Sequence, residues 1–201
     1  MNSEAIAVSV SAAAQNKTKH TPGSIAIWIL IAAELTEFAF FFIAFLIAKL
    51  HYPQQFAQGP SQLNTFAGTW NTLLLLSSSF FVAKAMTAVK SNYKRRALRW
   101  LGLTIVAGAS YCGVKIWEYF WNQSQAIHST TDTFFALYYY LTFNHLLHVV
   151  MGMCSLFCVG LHYYFDGYNA EQHQGLDSAA SYWHMIDLVW IIMFPLLYIV
   201  S

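Results

Sequence analysis

The chain has 201 residues, 57% of them hydrophobic and only 9% charged, with a formal net charge of +1. A water-soluble domain carries about a quarter charged residues, so this balance excludes one and points to a polytopic membrane protein. Near-neutral charge also gives no footprint for nucleic acid; membrane lipids are the surroundings such a composition requires.

Residues 1–23 are rich in Ser and Ala and carry Lys17, Lys19 and His20 ahead of Thr21-Pro22-Gly23. No basic segment precedes the apolar stretch Ala5–Ala14, and serines interrupt it. The segment reads as a disordered cytoplasmic tail rather than a signal peptide.

Apolar runs follow at about 24–49, 66–89, 97–121, 133–162 and 178–200. Each is long enough to cross a hydrocarbon core of about 30 Å as a helix, and the fourth exceeds what a bilayer needs. The expected fold is all-α: one domain over 24–201, a bundle of five transmembrane helices without a repeat. Pro53, Gly59 and Pro60 mark the first connection as a loop. The second connection concentrates Lys90, Lys94, Arg95, Arg96 and Arg99. The loops at 50–65 and 122–132 carry no Lys or Arg, and the connection at 166–177 is acidic. Short basic connections stay in the cytoplasm, so the N-terminus is expected inside and the C-terminus outside.

Cys112, Cys154 and Cys158 lie within apolar runs and read as inert core thiols, since the two on one helix do not face each other. Aromatic residues at both ends of the runs read as interfacial belts, with Trp28, Trp100, Tyr163, Tyr164, Tyr182 and Trp183 inside and Tyr52, Trp70, Trp121 and Tyr198 outside.

The informative residues are ionisable ones within the spans. Glu34 lies in the first, Lys115 and Glu118 in the third, His145 and His148 in the fourth, His184 and Asp187 in the fifth. At a rise of about 1.5 Å per residue, Glu34 and Asp187 fall about 14–15 Å from the inner surface, and His145, His148 and His184 about 8–12 Å. One slab, from inner half to midplane, thus collects five such groups from three helices. Glu37 sits a turn above Glu34, and Lys115 is spaced to pair with Glu118 at i, i+3 or with Glu37 across the bundle. Charged groups at this depth face protein or water rather than lipid. Three readings stay open: hydrogen bonding that fixes the packing, a proton pathway, and a metal or haem site built on His145, His148 and His184. A free-standing proton-coupled transporter is disfavoured because no inverted repeat or broken helix pair appears.

Several motifs occur in order: Ala33-Glu34 with Phe38–Phe42 and Phe45; Trp70-Asn71-Thr72 with Leu76-Ser77-Ser78; Lys115-Ile116-Trp117-Glu118-Tyr119; Thr142-Phe143-Asn144-His145-Leu146-Leu147-His148 through Gly152; and Trp183-His184-x-x-Asp187-x-x-Trp190. Together they resemble subunit III of the haem-copper respiratory oxidases, across residues 24–201. The resemblance is to the five-helix form, without the first helix pair of longer members and so without the lipid-holding cleft which that pair builds. Asn144 stands where the family typically has Gly ahead of the first His. The Lys-x-x-Glu-Tyr, Trp-His-Met-x-Asp and Phe194-Pro195 motifs look closest to a branch associated with nitric oxide reductase.

The resemblance implies a subunit with no catalytic residues, haem or metal of its own, packed beside a catalytic haem-copper oxidase subunit and supporting its stability and proton uptake. Haem and metal are then expected in that partner, with a structural phospholipid on this chain. A nitric oxide reductase subunit is the alternative partner, and the bacterial inner membrane the expected location. The resemblance makes Glu34 the family's buried carboxylate on its helix, and matches His145, His148, His184 and Asp187 to its paired motifs.

Overall fold

A computed structural model describes residues 23–165, 167–168 and 173–199, so the expected tail at 1–22 lies outside the described residues. They form six helices: α1 (Ile25–His51), α2 (Pro53–Gln62), α3 (Thr65–Lys90), α4 (Lys94–Ser124), α5 (Thr133–Tyr164) and α6 (Gln174–Tyr198). All but α2 are long and apolar enough to cross a membrane, and they run up and down in turn.

Local chemistry sets the ends. The side chains of Ser24, Asn64 and Asp132 accept from the backbone N–H of Ile27, Ala67 and Phe135, opening α1, α3 and α5. α3 and α4 close in the same way. Asn92 and Ala126 take left-handed φ of 59° and 58°, while Tyr93 N–H donates to Ala88 O and Ile127 N–H to Asn122 O. These Schellman closures satisfy carbonyls that the helix leaves open.

The structure differs from the sequence reading at both ends of the bundle. The first connection is a helix rather than a loop. Pro53 suits its first turn, and Phe56, 1% exposed, packs its ring 4.9 Å from Phe45 and 5.4 Å from Phe134. Gln55 Oε1 then accepts from Thr133 N, tying α2 to the start of α5. The basic connection shrinks to residues 91–93, because Lys94–Arg99 form the first turns of α4. At the same end Lys90 Nζ lies 3.7 Å from Asp177 of α6.

α6 is the central element, with 56% of its apolar window buried against 17% for α1. It packs on α1, α3 and α5, and α4 completes the bundle against α3 and α5. Trp183 and Trp190 anchor it by donating indole N–H groups to Ser78 Oγ (3.0 Å) and Thr72 Oγ1 (2.9 Å) of α3. Gly108 of α4 and Gly152 of α5 make room for Trp183, since a Cβ at either would sit 2.9 Å from its ring. Trp183, Tyr182, Tyr163 and Tyr198 are therefore core residues and not belt residues, all under 5% exposed. Trp28, Tyr52, Trp70 and Tyr164 are exposed, as belt residues are. Cys154 and Cys158, expected in the core, face outward from α5.

Candidate functional site

The polar residues within the spans sort into three groups and one separate histidine rather than one slab. In the first, Glu34 of α1 meets His148 of α5, with Oε2 2.6 Å from Nε2 and both side chains largely buried. His148 Nδ1 lies 2.8 Å from the backbone carbonyl of Asn144. A carbonyl only accepts, so Nδ1 carries a proton, and the short Glu34–His148 bond holds one more between two basic atoms. The pair is neutral as a unit, whether as imidazolium and carboxylate or as imidazole and carboxylic acid. That suits its depth. Next to it, Asn144 Nδ2 donates to Glu37 Oε1 at 3.0 Å. The Asn144 amide is thus a cross-helix partner for the second carboxylate of α1.

His145, one turn before His148, is a separate unit. Its Nε2 lies 3.1 Å from Ile186 O and its Nδ1 3.0 Å from Tyr111 Oη. The carbonyl fixes Nε2 as donor, and in the neutral ring that a fully buried site favours Nδ1 accepts from the tyrosine. This histidine is neutral with both ring nitrogens engaged. Phe38 stands between the two imidazoles, edge-on at 5.2 Å from His148 and 6.3 Å from His145.

The second group is the pair Lys115–Glu118 of α4, both fully buried, with Nζ 3.0 Å from Oε2. Tyr138 and Tyr198 each donate to Glu118 Oε1 (2.9 and 2.6 Å) and accept from Lys115 Nζ (3.2 and 2.9 Å). The ammonium also lies within 5.5 Å of the ring centres of Tyr119, Tyr138, Trp190 and Tyr198. Desolvating an ion pair is tolerable only when other hydrogen bonds and ring faces surround it, and here they do. Of the two partners open to Lys115, Glu118 is the one taken and Glu37 is not.

The third group lies where α6 meets α3. His184 is exposed, with Nδ1 2.6 Å from Ser79 Oγ. Asp187 is 3% exposed, and neither of its oxygens makes a hydrogen bond among the described residues. Glu34 satisfies His148, and Asp187 satisfies no histidine among the described residues. The i, i+3 spacing placed the two on neighbouring faces, and a helix turn of 100° per residue puts Asp187 inside the seam and His184 at its lip.

A site of His145, His148 and His184 is not assembled, because the first two turn to different partners and the third lies on the other side of α6. The convergent set among the described residues is Glu34, Glu37 and His148, with ligand atoms within 4.8 Å of one another. Hydrogen bonds within that set and to Asn144 already join its members.

Sequence reading named one side of most contacts and missed the other. Tyr111, Tyr138 and Ser79 went unrecognised, and Tyr198 was read only as a belt residue. Two of them had a signal: Tyr111 extends the stripe Lys115, Glu118, Asn122 at helical spacing on α4, and Tyr138 extends His145, Gly152 on α5.

The family model for cytochrome c oxidase subunit III matches residues 10–201. The chain is 32% identical over 174 residues to cytochrome c oxidase subunit 3 of Thermostichus vulcanus, covering 86% of this chain and 85% of the relative. It is 31% identical over 172 residues to the protein of that name from Synechocystis sp., covering 85% and 72%. A cytochrome bo(3) ubiquinol oxidase subunit 3 from Pseudomonas aeruginosa is 26% identical over 177 residues, covering 87% and 83%.

Proposed function

We propose, from the premise that this chain belongs to the cytochrome c oxidase subunit III family, that it is the non-catalytic subunit III of a haem-copper terminal oxidase in aerobic respiratory electron transport. It is an integral protein of the bacterial inner membrane, and its partner is a catalytic oxidase subunit. In this reading the Lys90–Arg99 end faces the cytoplasm.

The observation that carries a supporting role is the state of the histidines. His145 has no lone pair left for a metal, and His148 is held between Asn144 O and Glu34. Side chains locked in this way fix helix contacts, and α1 is the helix most in need of them, being the least buried. The chain thus stabilises the catalytic subunit, which carries the haem and metal. Glu34–His148, holding one mobile proton, is the group through which it supports proton uptake. An acyl chain of a structural phospholipid can lie along the groove of about 560 Å³ between α4 and α5, whose walls include Tyr119, Phe120, Tyr139, Tyr140 and Phe143, with His128 among its polar groups.

The Lys115-x-x-Glu118-Tyr119 motif favours a second partner, nitric oxide reductase. Mild-detergent pull-down of the tagged chain from its native membrane decides between them. A haem-copper subunit that reduces oxygen is the expected result; one that reduces nitric oxide and not oxygen would move the chain to the second reading. A stoichiometric haem on the isolated chain would overturn the non-catalytic assignment.

A further inference from the structure

α6 is central to the bundle, yet one strip of it is uncovered: His184, Leu188, Ile191 and Ile192. Alongside it α3 exposes Leu76. His184 is ten residues into its helix and Ser79 eleven from the end of α3, which places both about 15 Å along their spans, near the middle of the hydrocarbon. Ionisable side chains at that depth face protein rather than lipid tails. The exposed face of α4 is what a lipid-facing surface requires, with Leu103, Val106, Ile116, Trp117 and Phe120 along it.

Across the bundle, Asn144 completes Glu37. The α3–α6 strip does not close in that way. His184 Nε2 makes no hydrogen bond to the described residues, and behind it Asp187 is buried with both oxygens unpaired. Ser79 is the hydroxyl bonded to His184, and it lies beside Asp187 without bonding to it. It has one proton to give. A neutral His184 that carries its proton on Nε2 takes the Ser79 proton at Nδ1 and leaves Asp187 without a donor. With the proton on Nδ1, the imidazole donates to Ser79 and the hydroxyl proton is free for Asp187. The second arrangement leaves a lone pair on Nε2, directed at whatever covers the strip.

Resting on the reading of the chain as an oxidase subunit, we infer that the α3–α6 strip centred on Ser79 and His184 seats against a membrane-spanning helix of the catalytic subunit, which supplies a hydroxyl, amide or indole hydrogen-bond donor to His184 Nε2. Docking then fixes the tautomer that completes Asp187, so the contact is specific and not merely apolar.

The test uses the full chain in its native membrane, with a photo-crosslinking amino acid at Leu188 or at Val106. After pull-down, Leu188 should crosslink to the haem-bearing subunit and Val106 should not. Crosslinking from Val106 alone, or from neither position while the subunit still co-purifies, overturns the face and leaves the family reading intact. Failure of the unmodified chain to retain any haem-copper subunit overturns that reading itself. His184→Leu should release the catalytic subunit about tenfold faster in detergent, and His184→Gln, whose amide can donate to Ser79 and accept from the partner, should restore retention. Equal retention by all three chains overturns the hydrogen-bonded contact, and unchanged thermal unfolding of the isolated Leu variant separates loss of docking from misfolding.

Discussion

His148 of α5 holds Glu34 of α1 at 2.6 Å through Nε2 while its Nδ1 is committed to the carbonyl of Asn144. The bond joins the least buried spanning helix to the bundle, and only one proton lies along it. Glu34→Gln keeps the length of the side chain and offers an amide N–H to the ring, so it should assemble normally. Glu34→Leu leaves a buried imidazole nitrogen without a partner and should lower stability by about 1–3 kcal/mol, read as thermal unfolding in detergent. Oxygen consumption by the assembled Gln variant separates packing from proton traffic. Slower turnover at alkaline pH supports a proton role, and turnover equal to wild type at every pH leaves packing alone.

The Lys115–Glu118 pair should respond unevenly to its two single changes and their combination. Lys115→Met strands a fully buried carboxylate among hydroxyl donors and should destabilise by about 3–5 kcal/mol. Adding Glu118→Gln removes the stranded charge while keeping an acceptor for Tyr138 and Tyr198, so the double variant should recover most of that loss. A double-mutant cycle on detergent unfolding checks it, and additive losses would deny the coupling.

Trp183 fills the space that Gly108 and Gly152 leave. Gly152→Ala would set a Cβ 2.8 Å from Ile186 Cδ1 and 2.9 Å from the indole. Two neighbours must move, one of them rigid, and a loss of about 1–3 kcal/mol is expected. At the end of α4 the sign reverses. Ala126 holds φ of 58°, a conformation that penalises a Cβ, so Ala126→Gly should raise the unfolding temperature. The penalty is about 1–2 kcal/mol, partly offset by the greater freedom of Gly in the unfolded chain.

What could be read from the sequence follows from how local each signal is. The spans were legible because hydrophobic length depends on composition alone, and the i, i+3 relation of Lys115 to Glu118 needs only helix geometry. Which residue meets which across the bundle was not. Asp187 and His184 were read as members of one buried slab because both share a helix, but the rotation of α6 that points Trp183 and Trp190 at α3 turns Asp187 inward and leaves His184 at the surface. α2 was missed for a related reason. Pro53, Gly59 and Pro60 are loop signals by composition, yet here Pro starts the helix and Gly59 admits the ring of Phe134 against it. Tyr198 was assigned to a belt by its position near a helix end, and only the tertiary fold shows its hydroxyl buried against Glu118.

Orientation is the remaining expectation that a single experiment can decide. Lys90, Lys94, Arg95, Arg96 and Arg99 gather at the end of the bundle where α3 passes to α4, and short positively charged connections are retained in the cytoplasm. The turn at 91–93 is exposed there, and the turn around Ser129 is exposed at the opposite end. In intact cells a membrane-impermeant maleimide should label Ser129→Cys and spare Ser91→Cys, and inside-out vesicles should reverse the pattern. The native thiols do not confuse the result. Cys154 and Cys158 lie on the outward face of a spanning helix and Cys112 within another, where a membrane-impermeant reagent does not reach them. Labelling of Ser91→Cys from outside would invert the bundle, and the Lys90–Arg99 end would then face the periplasm.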